Sequence, residues 1–167
     1  MTKKVVLFFS LLLLLIIGFE LFVLFGPKKP TTSKISYACP VPTQYCKQGK
    51  VIKVNGKYFG LGYTLPVDTP IYAIINGQTR GGRTSFSPQI GKGTYPNIIL
   101  YNFETNYEVV YILTNNDYQG LTDVKKAAQI DRSRQGKIAN YDYNLILKIY
   151  NKDNNQLIEV DNNYFNP

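Results

Sequence analysis

The chain has 167 residues, a net charge of +8, only two cysteines and no histidine. This length suits one domain plus an anchor. Histidine is the commonest metal ligand and the usual general base near neutral pH, so a chain without it lacks the usual means of metal-dependent and acid–base catalysis. The lysines and arginines form no clustered stripe, which argues against a nucleic-acid partner.

The first candidate element is a long hydrophobic stretch. Residues 5–25 are apolar except for Ser10, Gly18 and Glu20. About 20 apolar residues cross a bilayer core as a helix, whereas the apolar core of a cleaved signal peptide has about 7–15 and precedes a small-x-small site. The stretch is long and no such site follows it. We therefore predict a cytoplasmic N-terminus at residues 1–4 and an uncleaved single span at residues 5–25, with a cleaved signal as the alternative.

A linker with two cysteines is predicted next, at residues 26–50. Its prolines and polar residues favour an extended, semi-stiff segment. Cys39 and Cys46 lie close together, and a pair of this kind in a chain without other cysteines indicates an oxidising compartment. We predict a disulfide between them, with two free buried thiols as the alternative. This places the C-terminal domain, residues 51–167, outside the cytoplasmic membrane.

The charge of the domain is mildly basic. Without Glu20 and the four lysines that flank the hydrophobic stretch, the chain carries 15 basic and 10 acidic side chains, a net charge of +5. Such a surface suits anionic wall polymers or anionic lipid head groups.

The organising stretch of the domain is residues 58–73, which read Y-F-G-L-G-Y-T-L-P-V-D-T-P-I-Y-A. A short strand at residues 51–54 precedes it. Within residues 58–73, alternating apolar residues are followed by a turn that two prolines fix. A second strand at residues 71–75 ends at an Asn-Gly turn. Segments of alternating apolar residues that are bounded by Pro and Gly turns are typical of short β-strands.

A glycine-rich basic stretch follows at residues 78–95, Q-T-R-G-G-R-T-S-F-S-P-Q-I-G-K-G-T-Y. It contains Arg80, Arg83 and Lys92. The spacing of a phosphate-binding loop is absent. We predict a flexible rim loop, with an anion-cradling loop as the alternative.

The remaining chain again favours strands, at residues 97–101, 107–114 and 144–150, with a closing hairpin behind them. By periodicity alone, residues 123–130 permit one short helical turn; the family resemblance described below instead implies that residues 121–133 form a turn between strands. We expect an all-β domain of roughly seven to ten short strands.

Residues 58–73 resemble the signature segment of the lysostaphin/LytM-type zinc peptidases of bacterial cell walls. That pattern is H-x-G-x-D, three residues, then P-x-G-T-P-V-Y-A. Gly60, Pro66, Thr69 and Pro70 keep its positions. Four later segments resemble further family motifs in the same order, over about residues 51–165. The resemblance implies a duplicated hybrid motif, a barrel-sandwich hybrid β domain, here preceded by one N-terminal transmembrane helix.

The positions that carry the family's chemistry differ in this chain. The resemblance places the three zinc ligands at Tyr58, Gly62 and Ile146, and the two proton-transferring histidines at Leu113 and Asn144. Glycine and isoleucine offer no ligating atom, and zinc needs three protein ligands beside an open position. The resemblance therefore implies a degenerate member, a pseudoenzyme without catalytic residues, metal or cofactor.

A binding site is expected where the family has its active-site groove. The predicted lining consists of residues at the former catalytic positions and the tyrosines beside them, since tyrosine combines rigid contact area with a polar tip. These residues are Tyr58, Gly62, Tyr63, Tyr111, Leu113, Tyr143, Asn144 and Ile146, with Arg80, Arg83 and Lys92 on the rim loop.

The predicted function is that of a membrane-anchored, catalytically inactive LytM-type peptidase-like domain outside the cytoplasmic membrane. Its expected partner is peptidoglycan, as cell-wall peptide, or an envelope protein such as a wall hydrolase. Two alternatives stay open: a structural component of an envelope or secretion complex, and a divergent active cell-wall peptidase.

Overall fold

The computed structural model describes residues 36–87, 91–116, 118 and 120–166. The predicted cytoplasmic residues 1–4 and the predicted span at residues 5–25 lie outside this set. Among the described residues, no helix is long and apolar enough to cross a membrane.

The described domain is nearly all β, as predicted, with twelve strands and two helical segments of at most four residues. The structure has more strands than the seven to ten expected, partly because the count includes β1 and β12, which are only two residues long. The elements are β1 Tyr37–Ala38, α1 Thr43–Cys46, β2 Lys50–Val54, β3 Lys57–Tyr63, β4 Pro70–Tyr72, β5 Gly77–Phe86, β6 Gly93–Asn102, β7 Tyr107–Leu113, β8 Leu121–Val124, β9 Gln129–Arg132, β10 Leu145–Asn151, β11 Gln156–Ile158, a 3₁₀ turn Asn162–Tyr164 and β12 Phe165–Asn166.

One antiparallel sheet of eight strands forms the centre, in the order β2-β3-β10-β7-β6-β5-β8, with β11 paired to β10. Residues paired across neighbouring strands share a face of a sheet. The register aligns Gly62, Ile146, Ile112 and Asn97 on one face, which we call the groove face. The neighbouring row of Leu61, Leu147, Tyr111 and Ile98 lies on the opposite face, which we call the inner face.

The inner face is covered by the chain's own peripheral segments. Strand β1 pairs in parallel with β12, and β4 pairs with β9 in a second small sheet. The predicted disulfide between Cys39 and Cys46 is confirmed, with 5.7 Å between the two Cα atoms. The backbone oxygen of Cys46 accepts a hydrogen bond from the Tyr63 hydroxyl at 3.5 Å. The disulfide-bearing segment therefore packs against the central sheet.

One boundary differs from the sequence-based expectation. Residues 36–50, expected to be linker, contain β1 and α1 and belong to the folded domain, because Tyr37 pairs with Phe165 and is 4 % exposed. Residues 121–133 form β8 and β9 around a turn, so the expected turn between strands is present and the alternative helical turn is not formed. Ala127, which stands where the family pattern has glycine, adopts a left-handed backbone with φ 66° in this turn.

The glycine-rich stretch is the largest correction. We expected a flexible rim loop, but Arg80 and Arg83 lie within β5 and Lys92 directly precedes β6, so the stretch is a long hairpin. Glycine is disfavoured in strands because it offers no side chain to pack. Here a side chain at Gly82 would begin 2.5 Å from Oδ1 of Asn97, and one at Gly81 would begin 2.6 Å from the backbone oxygen of Tyr118. The glycines therefore make room for close neighbours.

Candidate functional site

Two of the predicted metal-ligand positions meet on the groove face. Gly62 pairs directly with Ile146 across β3 and β10, as neighbouring ligands of one site would. A tyrosine occupies the space above them: a Cβ atom at Gly62 would lie 2.5–2.8 Å from ring atoms of Tyr143. Ile146 is fully buried. This part of the groove face is therefore filled by a ring.

The third ligand position, Tyr58, lies elsewhere. Ile52 pairs with Gly60 and Lys53 pairs with Tyr58, so Phe59 is the extra residue of a β-bulge in β3. Because a bulge shifts the alternation of side chains by one residue, Tyr58 does not lie on the same face of the sheet as Gly60 and Gly62.

Tyr58 is directed to the C-terminal segment. Its buried hydroxyl lies beside the backbone of Val160 without reaching standard hydrogen-bond geometry. Burial is the main cause that raises the pKa of Tyr58 to about 12; the nearby Val160 backbone opposes the rise, and the carboxylates of Glu159 and Asp161 add to it. The structure thus separates Tyr58 from Gly62 and Ile146.

Three more predicted lining residues lie on the inner face. Tyr63 and Leu113 both pair with Leu145, and all are at most 1 % exposed. The hydroxyl of Tyr111 accepts a hydrogen bond from the backbone N–H of Ile74 at 2.9 Å. Burial raises the pKa values of Tyr63 and Tyr111. These side chains hold the core together and face away from the groove.

Asn144 is also a structural residue in this arrangement. Its Oδ1 accepts from the backbone N–H of Leu65 at 2.9 Å, and its Nδ2 donates to the backbone oxygens of Leu65 and Arg134 at 2.7 and 3.1 Å. It bridges two loops and is 6 % exposed. Of the eight predicted lining residues, the structure brings together Gly62, Ile146 and Tyr143.

A chain of five aromatic rings covers this end of the groove face, and we call it the aromatic cap. Successive ring centroids lie 6.2, 6.5, 5.6 and 5.4 Å apart. The rings pack against the buried cluster that includes Ile112, Ile138 and Ile146. In this order, the cap consists of Tyr143, Tyr141, Phe59, Phe86 and Tyr95.

The residues at the predicted metal position do not fit zinc. Gly62 and Ile146 supply no ligating atom, the ring of Tyr143 occupies the space above them, and Tyr58 lies beyond the bulge. Within the part of the chain that the structure describes, no group of three Cys, Asp or Glu side chains could hold a metal ion either.

One charged residue of the groove face was missed by the sequence reasoning. Lys148 follows Ile146 by two positions on β10 and pairs with Val110 of β7. Its ammonium lies 4.0 Å from the centre of the Phe59 ring. The available signal was a single lysine inside the otherwise apolar run L-I-L-K-I-Y.

Comparisons with known proteins agree with this architecture. A zinc-containing peptidase from Vibrio cholerae matches with a TM-score of 0.50 and 16% identity, over 76% of this chain and 40% of that one. Csd3 from Helicobacter pylori matches with a TM-score of 0.48 and 18% identity, over 80% of this chain and 35% of that one. The lysostaphin catalytic domain from Staphylococcus simulans matches with a TM-score of 0.44 and 16% identity, over 74% of this chain and 92% of that one.

These neighbours are peptidases of the lysostaphin/LytM type, and the likeness to the Vibrio cholerae structure shows the fold alone. The chain spans less than half the length of that peptidase and of Csd3. No protein-family model matches the chain, and no curated protein matches it in sequence.

Proposed function

We propose that this chain is a membrane-anchored, catalytically inactive peptidase-like module that acts outside the cytoplasmic membrane and binds cell-wall peptide or a protein partner such as a wall hydrolase. The observation that carries the proposal is the pair of Gly62 and Ile146 beneath the ring of Tyr143. The two predicted ligand positions pair directly with each other there but offer no ligating atoms, and a ring takes up the space that a metal would need.

The loss of catalysis is tested with purified wall sacculi. Full-length protein in a non-ionic detergent is incubated with sacculi and excess zinc, and released amino groups are measured beside an active lysostaphin-type peptidase. We expect no release above the blank. Release that depends on this protein would support the divergent peptidase and overturn the proposal.

Binding is tested by co-sedimentation of the same protein with sacculi. Retention in the pellet supports a wall-binding module. If the protein stays in the supernatant and instead co-purifies from membranes in a stable complex, the structural-component alternative is correct. That alternative draws support from the aromatic cap, which leaves little of the former active-site position open.

The proposed anchor rests on the apolar run at residues 5–25. Full-length protein should stay in the membrane fraction after alkaline extraction, and deletion of residues 5–25 should release it. If the domain lies outside the membrane, protease added to intact protoplasts should digest it. If the orientation is reversed, the domain should stay intact.

A further inference from the structure

Beside the aromatic cap, the groove face carries an open groove of about 350 Å³. It crosses several strands, and its apolar lining includes Ile99, Val110 and Ile112. Lys148, Val110 and Ile99 form one row of paired residues across β10, β7 and β6, so the lysine stands at one side of the groove among apolar neighbours.

Among the described residues, no carboxylate forms an ion pair with the ammonium of Lys148. The ammonium lies 4.0 Å from the centre of the Phe59 ring and 5.7 Å from that of Tyr150. Burial lowers the pKa of Lys148 to about 8. A half-buried cation without a partner attracts a ligand carboxylate more strongly than a fully solvated lysine does.

The other charges of the groove leave it positive. Arg83, Lys152 and Glu108 also line it. The carboxylate of Glu108 pairs with Lys152 at 3.8 Å. Arg83 pairs with Pro96, on the face opposite to Asn97, so the remaining positive charge of the groove belongs to Lys148, and the groove complements an anionic group.

A second unsatisfied group lies at the far side of the groove. Asn97 is 3 % exposed, and its Nδ2 donates to Oγ1 of Thr84 at 2.6 Å, but its Oδ1 has no donor among the described residues. Gly82 packs closely against this oxygen, because a side chain there would begin 2.5 Å away. A buried acceptor without a donor favours a ligand that brings an N–H group.

The spacing of these two groups sets the size of the ligand. Asn97 and Lys148 lie two strands and two residues apart. Strands about 4.8 Å apart and a rise of about 3.3 Å per residue give roughly 12 Å between their Cα atoms, the length of three to four extended residues.

From these observations we infer that the groove binds a short extended peptide with a free C-terminal carboxylate, which pairs with Lys148 while a peptide N–H group reaches Asn97. This inference rests on the proposed binding function and assigns it a site apart from the former metal position. A phosphate-rich wall polymer would satisfy the lysine, but it offers no N–H group to Asn97 and no apolar surface to the groove.

The test uses full-length protein in a non-ionic detergent and N-acetyl-tetra-alanine as the probe. Calorimetric titration should show binding of the free acid, and the C-terminal amide should bind about tenfold more weakly because it lacks the charge that pairs with Lys148. Equal binding of acid and amide, or no binding of either at millimolar concentration, would overturn the inference. Displacement of the peptide by inorganic phosphate at equal concentration would point to a phosphate site instead.

Two variants locate the site. Lys148→Met should weaken binding of the acid about tenfold, whereas Lys53→Met, at an exposed lysine of β2, should leave it unchanged. Thermal unfolding confirms that both variants fold. In the native protein, NMR of labelled lysines should show the pKa of Lys148 rising when the peptide binds. Unchanged affinity in Lys148→Met contradicts the inference.

Co-sedimentation separates this inference from the broader function. If Lys148→Met binds sacculi as well as the native protein does, the groove assignment is wrong and the binding module stands. If the native protein binds the peptide but no sacculi, the groove assignment stands and the wall-binding function fails.

Discussion

The two faces of the central sheet differ in how their polar groups are satisfied. On the inner face, two buried tyrosine hydroxyls meet the backbone of the same chain: that of Tyr111 bonds to Ile74, and that of Tyr63 bonds to Cys46. On the groove face, side-chain rings cover the apolar residues, while Lys148 and Asn97 keep unsatisfied groups. The comparison teaches that the fold depends on the inner face, whereas the groove face is where the protein can accept a ligand.

Alkaline pH should give the largest difference between the faces. Burial raises the pKa values of Tyr37, Tyr58, Tyr63 and Tyr111, and that of Tyr58 reaches about 12. Because the unfolded tyrosines ionise near pH 10, this stabilising contribution is complete below pH 10 and is lost as the pH rises toward 12 and beyond. We expect unfolding in that window. Circular dichroism should change together with the last part of the rise in tyrosinate absorbance, which comes from the buried rings; complete tyrosinate formation in a domain that is still folded would contradict the assignment.

Substitution of Tyr111 should give the next largest effect. Tyr111→Ala removes a fully buried ring and leaves the Ile74 N–H without its acceptor, so we expect a loss of about 3–5 kcal/mol in the free energy of unfolding. Tyr111→Phe isolates the hydrogen bond and should lose about 1–2 kcal/mol. Urea unfolding measures both. If Tyr143→Ala on the groove face were as destabilising as Tyr111→Ala, the two faces would not differ as described.

The contact between Gly62 and Tyr143 should give a smaller and coupled effect. Gly62→Ala places a methyl group against the Tyr143 ring and should destabilise the domain by about 1–3 kcal/mol. Tyr143→Ala removes the ring, so the double variant should be less destabilised than the sum of the two single variants. Strict additivity in chemical denaturation would show that the ring does not cover Gly62 in solution.

The smallest effect is expected at Lys148. Lys148→Met removes a buried charge but also the cation–π contact with Phe59, so the net gain at pH 7 should be about 1 kcal/mol. The pKa of Lys148 falls from 10.5 to about 8 on folding, so the native protein loses stability as the pH drops through that window. The advantage of the variant should therefore be complete below pH 8 and vanish by pH 10.5. An advantage that does not depend on pH would show that the charge is solvated.

Much of the fold was predictable from local patterns. Alternation and turn residues located β2, β3, β6, β7 and β10, and the cysteine spacing located the disulfide. The glycine-rich β5 was missed because its glycines serve neighbours that are distant in sequence, Asn97 and Tyr118. Strand propensity describes a residue's own preference and contains no information about such neighbours.

The candidate site was predictable only in part. The pairing of Gly62 with Ile146 follows from motif positions, since both belong to regular strands. The bulge at Phe59 was not visible in the sequence, because it depends on pairing with Ile52 and Lys53 of β2. That single extra residue sends Tyr58 toward the C-terminal segment and brings Phe59 to Lys148. The residues that line the groove can therefore be identified only when the pairing register of the strands is known.

The parallel pairing of β1 with β12 has a consequence for biosynthesis. Tyr37, among the first residues of the domain to be made, meets Phe165, which is made among the last. Lys47 and Asn162 add hydrogen bonds between the same two segments. A nascent chain cannot close this seam while its last strands are still inside the ribosome or a translocation channel, so non-local contacts must form late. Until then the inner face lacks part of its cover, and the growing domain exposes apolar surface that favours aggregation.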